Sequence, residues 1–435
     1  MPFQKSWFVD KGREALYRSN LRFFTQKNEE YPLPKVFYQG PEKALFNEVC
    51  NQEERQACTV ASENTLFAMI DLLGQFSTLD EYLLAKDELV KTCLDVYENL
   101  VHRKFLCIHI ENLYTPSFEP IAWDLAKTLS SHFSLKDEKI GCFKSGDALE
   151  GDRIYYSLYF RKDEKSPEGL VKANSPFLGS GVEMRTLEVG AWQVIRPPRR
   201  KKDEILHPAK YPEQLVEQFI KTFTEKGEAV FDPMSGTGST QVAALNHGRN
   251  AYGCELSAFF HEIALKRCEE ARAGQALDFN IALKDAKEAV GAGFPSIDYV
   301  ITSPPYWDML NMKGAEYQAR RKEKGLQLNY SDDKNDLGNI SDYQLFVDLL
   351  LEVYLSMQKL LKSGAHVTII VKNIKKKGSN YPFAWDLSEA LCKHGWKLLP
   401  EFFWCQDDIN LAPYGYGNTW VSNTFHQYCL TFRVP

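Results

Sequence analysis

Val230-Phe231-Asp232-Pro233-Met234-Ser235-Gly236-Thr237-Gly238-Ser239-Thr240 leads from a short apolar strand, through a glycine-rich turn, into the apolar helix begun by Val242-Ala243-Ala244-Leu245. A strand, a glycine turn and a helix in that order open a doubly wound α/β sheet, where ligands sit beyond the carboxyl ends of the strands. Glycines at 236 and 238 let the backbone approach a ligand closely. A dinucleotide-binding enzyme would carry a third glycine three residues after Gly238. Gln241 stands there instead, which disfavours a nicotinamide dehydrogenase.

Working outward, the next predicted strand, Ala251-Tyr252-Gly253-Cys254, ends at Glu255, a carboxylate placed to accept hydrogen bonds from ribose hydroxyls. A third, Asn280-Ile281-Ala282-Leu283, leads to Asp285, which can read an adenine amino group. One acid at a strand end is more often a solvated loop charge. Three successive strands ending in suitable polar residues point to an adenosine-type ligand.

A fourth apolar run, Tyr299-Val300-Ile301, ends in Thr302-Ser303-Pro304-Pro305-Tyr306. An exocyclic amine on a nucleic-acid base donates its lone pair into the ring and is a poor nucleophile. The Ser303 oxygen and the Pro304 carbonyl can each accept one of its N–H groups, drawing the nitrogen toward tetrahedral geometry, which is stabilisation by fixed dipoles. Two prolines lock φ and hold the carbonyl rigid, and Tyr306 offers a flat face on which a flipped base can stack. In isolation the same four residues read equally as a Pro-Pro turn ending a strand. The glycine turn and the acids decide between the two.

With these residues in place, the chain resembles the S-adenosylmethionine-dependent amino-methyltransferases of DNA, in particular the cytosine-N4 group with its Thr-Ser-Pro-Pro-Tyr signature. The resemblance covers residues 205 to 435. It implies a Rossmann-like α/β fold with a seven-stranded, mostly parallel sheet whose last strand, ending Tyr428 to Arg433, runs antiparallel. It also implies S-adenosyl-L-methionine as cofactor. Thr302 and the segment Phe231, Asp232, Pro233, Gly236, Thr237 and Gly238 would line its site, with Glu255 at the ribose and Asp285 at the adenine. The segment His207-Pro208-Ala209-Lys210-Tyr211-Pro212 would help hold the methionine end. Ser303, Pro304, Pro305 and Tyr306 would be catalytic. Relatives acting on adenine carry Asp or Asn before Pro-Pro-Tyr, so Ser303 favours N4 of cytosine, with adenine N6 as the alternative. An RNA base methyltransferase and a catalytically silent nucleic-acid-binding module also remain open. The expected partners are duplex DNA with a flipped cytosine and a restriction endonuclease of a restriction-modification system.

The 435 residues carry a net charge of −6, so no global field draws nucleic acid to the protein. Local basic clusters, Arg196 to Lys202, Arg320-Arg321-Lys322 with Lys324, and Lys375-Lys376-Lys377, could contact phosphates, although such runs are commonly solvated faces. Ten cysteines without a Cys-x-x-Cys pair argue against structural zinc and against a secreted disulfide framework. No metal is expected. With no signal peptide and no membrane-length apolar stretch, the reading is a cytoplasmic, nucleoid-associated protein.

The N-terminal region contains a repeat of the C-terminal one. Shifting residues 79–112 by 261 matches Tyr82 with Tyr343, Leu84 with Leu345, Asp87 with Asp348 and Ile108 with Ile369. A shift of 262 then lays Pro120-Ile121-Ala122-Trp123-Asp124-Leu125 on Pro382-Phe383-Ala384-Trp385-Asp386-Leu387, and both copies end in a Tyr…Phe-Arg strand, 156–161 and 428–433. The expected organisation is a degenerate methyltransferase-like half at 1–162, a basic linker or recognition segment at 163–204, and a catalytic domain at 205–435. No Pro-Pro-Tyr occurs in the first 200 residues, so the first copy lacks the chemistry. In the resembled group the catalytic loop usually precedes the cofactor loop. The reverse order here fits tandem fusion of two such units, the first losing its front. Target recognition would fall to residues 163–206 or to the polar insertion 307–340, with Tyr317 and Tyr330.

Overall fold

The computed structural model describes residues 5–114, 116–163, 178–179, 190–196, 211–305, 307, 337–376, 379–407 and 424–435. It divides into two compact units. The first comprises Met1–Val194, Asn373–Trp385 and Cys405–His426, and the second Ile195–Lys372, Asp386–Trp404 and Gln427–Pro435.

In the first unit seven strands are named in chain order: β1 (Trp7–Val9), β2 (Lys35–Gln39), β3 (Gln56–Cys58), β4 (Thr65–Asp71), β5 (Leu100–Ile110), β6 (Ser134–Phe143) and β7 (Arg153–Arg161). They lie in the order β1-β6-β7-β5-β4-β2-β3, more of a sheet than the later half covered by the sequence repeat. β7 is antiparallel to both neighbours and the other pairs are parallel. Every residue of β4, Thr-Leu-Phe-Ala-Met-Ile-Asp, is buried, as a strand covered on both faces requires. Helix Arg13–Phe24 packs its Tyr17, Leu21 and Phe24 on this sheet, with Phe24 stacked on Phe67 at 4.9 Å.

Seven strands of the second unit follow: β8 (Ala229–Asp232), β9 (Asn250–Glu255), β10 (Phe279–Leu283), β11 (Ile297–Thr302), β12 (Leu361–Val371), β13 (Phe402–Cys405) and β14 (His426–Arg433). Their order is β10-β9-β8-β11-β12-β14-β13, and they are seven of the ten strands of that sheet, more than the seven expected from sequence. β8 to β12 pair in parallel and β14 runs antiparallel to β12, in agreement with the expected α/β sheet. The strands expected from sequence at 251–254, 280–283 and 428–433 are present, one or two residues longer at their ends. Val230, Val300, Ile301, Ile369 and Leu430 are buried, so these strands read as apolar runs. Helix Glu213–Phe223 covers one face, its Phe223 stacked on Tyr299 at 5.2 Å.

The order reverses between β8 and β11. Strands β8, β9, β10 and β11 all point their carboxyl ends to the same edge, which places the glycine turn, both acids and the Ser303 loop along one line. All ten cysteines are free. Among the described residues no helix is long and apolar enough to cross a membrane, and no His/Cys/Asp/Glu group could hold a metal ion.

Candidate cofactor and catalytic site

The turn after β8 is built on two glycines in the left-handed region, Gly236 at φ 53° and Gly238 at φ 77°. Gly238 also packs close to Ala264, 3.0 Å from where a Cβ would stand, and leads directly into helix Ser239–Asn246. Gly253 on β9 meets a tighter constraint. A Cβ there would lie 2.2 Å from Ser235 Oγ and 2.7 Å from the Asp232 carbonyl oxygen. Gly253→Ala is therefore expected to cost about 1–3 kcal/mol of stability, the usual range for overpacking, and denaturant unfolding would show it.

Asp232 is fully buried at the end of β8. Its Oδ1 accepts from the Met234 N–H at 3.0 Å and the Thr302 hydroxyl at 2.7 Å. Its Oδ2 accepts from Thr240 Oγ1 at 2.8 Å and the Tyr211 hydroxyl at 3.0 Å. A carboxylate has about four acceptor sites, and here protein donors occupy them all. Burial pushes the Asp232 carboxyl above the usual carboxylate range, and these donors oppose the shift. Asp232 thus shapes the site and ties the glycine turn to the residue that opens the Ser303 loop.

Gln241, at the place of the missing third glycine, braces the turn instead. Its amide donates to Ser235 Oγ at 2.8 Å and to the Tyr252 carbonyl at 3.1 Å. Arg267, which sequence reasoning did not single out, donates to the Thr237 carbonyl at 2.6 Å and pairs with Glu213. Nothing in its local sequence marks it, because the contact joins residues 30 apart in the chain.

Glu255 ends β9 and is 9% exposed. Its carboxylate accepts from the Gly236 N–H at 2.7 Å and the Ser257 N–H at 2.8 Å. Burial raises its pKa to about 7, against the pull of those two backbone donors. Asp285 lies two residues past Leu283, the register partner of Glu255, and accepts from the Lys287 N–H at 3.0 Å. The two acids therefore stand at neighbouring strand ends. Phe231 is fully buried with its ring edge-on to Phe294 at 5.3 Å, and Pro233 and Thr237 are buried in the turn.

At the end of β11, Thr302 is buried, Ser303 and Pro305 are half-buried and Pro304 is buried. Tyr306, His207 and Pro208 lie outside the described residues, as do Arg320, Arg321, Lys322, Lys324, Tyr317 and Tyr330. Of the third basic cluster, Lys375 pairs with Asp137 at 2.5 Å inside the first unit, a position that engages its charge with protein.

Two rigid glycines, a buried carboxylate at the β9 end and a second acid at the β10 end fit an adenosine-type ligand, with the Ser303 loop one strand away. Residues 69–266 match the model of a family described as DNA methylase. The chain is 39% identical over 80 residues to the type II methyltransferase M.BglI of Bacillus subtilis, covering 18% of this chain and 22% of that one. It is 44% identical over 62 residues to the orphan methyltransferase M.BamHII of Bacillus amyloliquefaciens, covering 14% and 23%. The chain thus spans about a fifth of the length of these curated relatives. Among solved structures, TrmN from Thermus thermophilus aligns over 51% of this chain and 48% of its own, at 15% identity and a TM-score of 0.31.

Proposed function

We propose that this protein is an S-adenosylmethionine-dependent DNA methyltransferase that modifies an exocyclic base amine, N4 of cytosine. The observation that carries the reading is the Asp232–Thr302 hydrogen bond of 2.7 Å, which locks a cofactor-type glycine turn to a Ser-Pro-Pro loop on the adjacent strand. S-adenosylmethionine, when bound, supplies the methyl group as an electrophile.

The chain's own residues hold and orient. Glu255 would accept from the ribose hydroxyls and Asp285 from the adenine amine, while the glycine turn would leave room for the cofactor beside the backbone. Ser303 Oγ and the Pro304 carbonyl accept the two N–H bonds of the target amine, so its lone pair leaves the ring and is directed at the methyl group. On transfer the amine nitrogen would gain the methyl group that the cofactor supplies, with the bond from methyl to sulfur broken, and the proton lost from nitrogen would pass to solvent. Tyr306 stacks on the flipped base. The half-buried Ser303, a neutral hydroxyl where adenine-modifying relatives of the resembled group carry Asp or Asn, supports cytosine over adenine.

The DNA methylase family match and the type II methyltransferase relatives support DNA as substrate, within a restriction-modification or related system. Expression in a host lacking its own DNA methylation, followed by base-resolution sequencing, tests this. The expected result is N4-methylcytosine at one recurring sequence. N6-methyladenine at such a sequence would replace the cytosine assignment and leave the rest standing.

Glu255 sets a pH dependence. Accepting ribose hydroxyls requires the ionised carboxylate, and a group with a pKa of about 7 is about one-tenth ionised at pH 6 and nine-tenths at pH 8. S-adenosylmethionine should therefore bind about tenfold more weakly at pH 6 than at pH 8, by calorimetry. Glu255→Gln should flatten that profile. The sign for stability is opposite: the folded-state value lies above the unfolded value of about 4.3, so the ligand-free fold loses stability as pH rises between the two.

A further inference from the structure

The strand registers of the two sheets can be compared without reference to side chains. In the first sheet Val36 pairs with Phe67, and Phe67 with Phe105. In the second Val230 pairs with Tyr299, and Tyr299 with His366. Phe105 and His366 differ by 261, the same shift that the sequence repeat shows. Anchored at that shift of 261, the strand registers carry the alignment from β5 into the strands beside it. Beyond the sequence repeat, it extends the match back through β4 (shift 232) and through β2 and β3 (shift 194).

Three hydrogen-bonded devices recur at matching places. Arg55 Nε donates to Thr25 Oγ1 at 2.5 Å, and Arg249 Nε donates to Thr224 Oγ1 at 3.0 Å. Each threonine in turn donates to the carbonyl four residues earlier, Leu21 or Ile220. Tyr82 donates to Asp124 Oδ2 at 2.5 Å, and Tyr343 to Asp386 Oδ2 at 2.7 Å. Asn112 Oδ1 accepts the Ala122 N–H, and Asn373 Oδ1 accepts the Ala384 N–H, both at 2.9 Å. Coincidence between two generic α/β sheets does not reproduce side-chain bonds of this kind.

The register then shows what stands at each functional position of the first copy. Tyr38 replaces Asp232 and Phe46 replaces Thr240, so a hydrogen bond becomes a ring stack with centroids 4.1 Å apart. Asp71-Leu72-Leu73 replaces Ser303-Pro304-Pro305. Asp71 is fully buried, paired with Arg13, and receives the Tyr17 hydroxyl at 2.5 Å and the Leu73 N–H at 3.1 Å. Arg13 also donates to the Leu73 carbonyl at 3.1 Å, and Tyr17 reaches Tyr38 at 3.0 Å. The six residues 59–64 stand where the second copy has residues 253–296, the stretch that holds both Glu255 and Asp285.

We infer that the N-terminal region is a nearly whole second copy of the sheet whose cofactor and catalytic positions have been closed from within by Tyr17, Tyr38, Arg13 and Asp71, leaving one cofactor site per chain. The inference rests on the cofactor reading of the second unit given above. Closure by a charged pair and two tyrosines keeps the former site packed and satisfied, so the copy remains a rigid body without a ligand.

Calorimetric titration of the full chain with S-adenosylhomocysteine tests this by stoichiometry. One equivalent per chain is expected, with no saturable binding left in Glu255→Ala and affinity within twofold of the parent in Tyr38→Phe. Two equivalents in the parent chain, with one of them surviving in Glu255→Ala, would overturn the inference while leaving the second site standing; one equivalent unchanged by Glu255→Ala would overturn the assignment of the site to Glu255 and the inference with it. No binding in the parent chain would overturn the cofactor reading and this inference with it.

Discussion

Ser303→Ala is expected to slow methyl transfer to duplex DNA by about 10²–10³-fold while S-adenosylmethionine affinity stays within about twofold. The magnitude is that of removing one preorganised partner from a developing charge, about 2.7–4 kcal/mol. Loss should stop short of complete because, in the proposed mechanism, the Pro304 carbonyl on a backbone fixed by two consecutive prolines would still accept the second N–H. Affinity is spared because Ser303 is half-buried beyond the end of β11, whereas the glycine turn and the acids belong to β8, β9 and β10. Single-turnover rates with labelled cofactor, beside calorimetry, separate the two effects. Equal losses in rate and affinity would instead place Ser303 among the cofactor contacts.

Asp232→Ala should have the larger structural effect. It removes a buried acceptor that satisfies four donors, namely Met234 N–H, Thr302, Thr240 and Tyr211. Tyr211 and Thr240 already lie 2.5 Å apart and can bond to one another, which offsets part of the cost. Thr302 and the Met234 N–H have no such neighbour among the described residues, and each buried group left unsatisfied costs about 1–3 kcal/mol. A net loss of about 3–5 kcal/mol in stability is expected, visible as a lower denaturant midpoint. Cofactor affinity should fall on the order of 100-fold, since small displacements of positioning groups carry penalties of that size. Asp232→Asn keeps the volume but turns one acceptor into a donor facing a hydroxyl, and should fall between the two.

The sheet of the second unit was legible because its strands are apolar runs closed by glycine or by acids, and those features are local. Thr302 to Pro305 and the turn at 232–238 were legible for the same reason. The role of Asp232 was not. Sequence places it in the turn and suggests contact with the cofactor, whereas its four partners, spread over residues 211 to 302, show that it holds the turn and the next strand together. Gln241 looked like a missing glycine and is a crosslink between Ser235 and Tyr252.

The extent of the first copy was hidden by substitution. In the inferred alignment Tyr38 stands for Asp232 and Asp71 for Ser303, which removes the motif letters, while the strand register that supports the alignment is invisible in one dimension. Lys375 illustrates the converse. A basic run that reads as a phosphate contact contains a lysine held by Asp137, because charge patterning along the chain does not reveal which partner the fold supplies.

The central claim is that the site joining Asp232, Glu255 and Ser303 moves a methyl group onto a base amine of DNA. Nucleoside mass spectrometry after incubating the purified chain with deuterated-methyl S-adenosylmethionine and unmethylated genomic DNA measures this directly. Labelled N4-methylcytosine from the parent chain, and a yield lower by two orders of magnitude or more from Ser303→Ala, is the predicted result. Label found at carbon 5 of cytosine, or equal labelling by both proteins, would contradict the account.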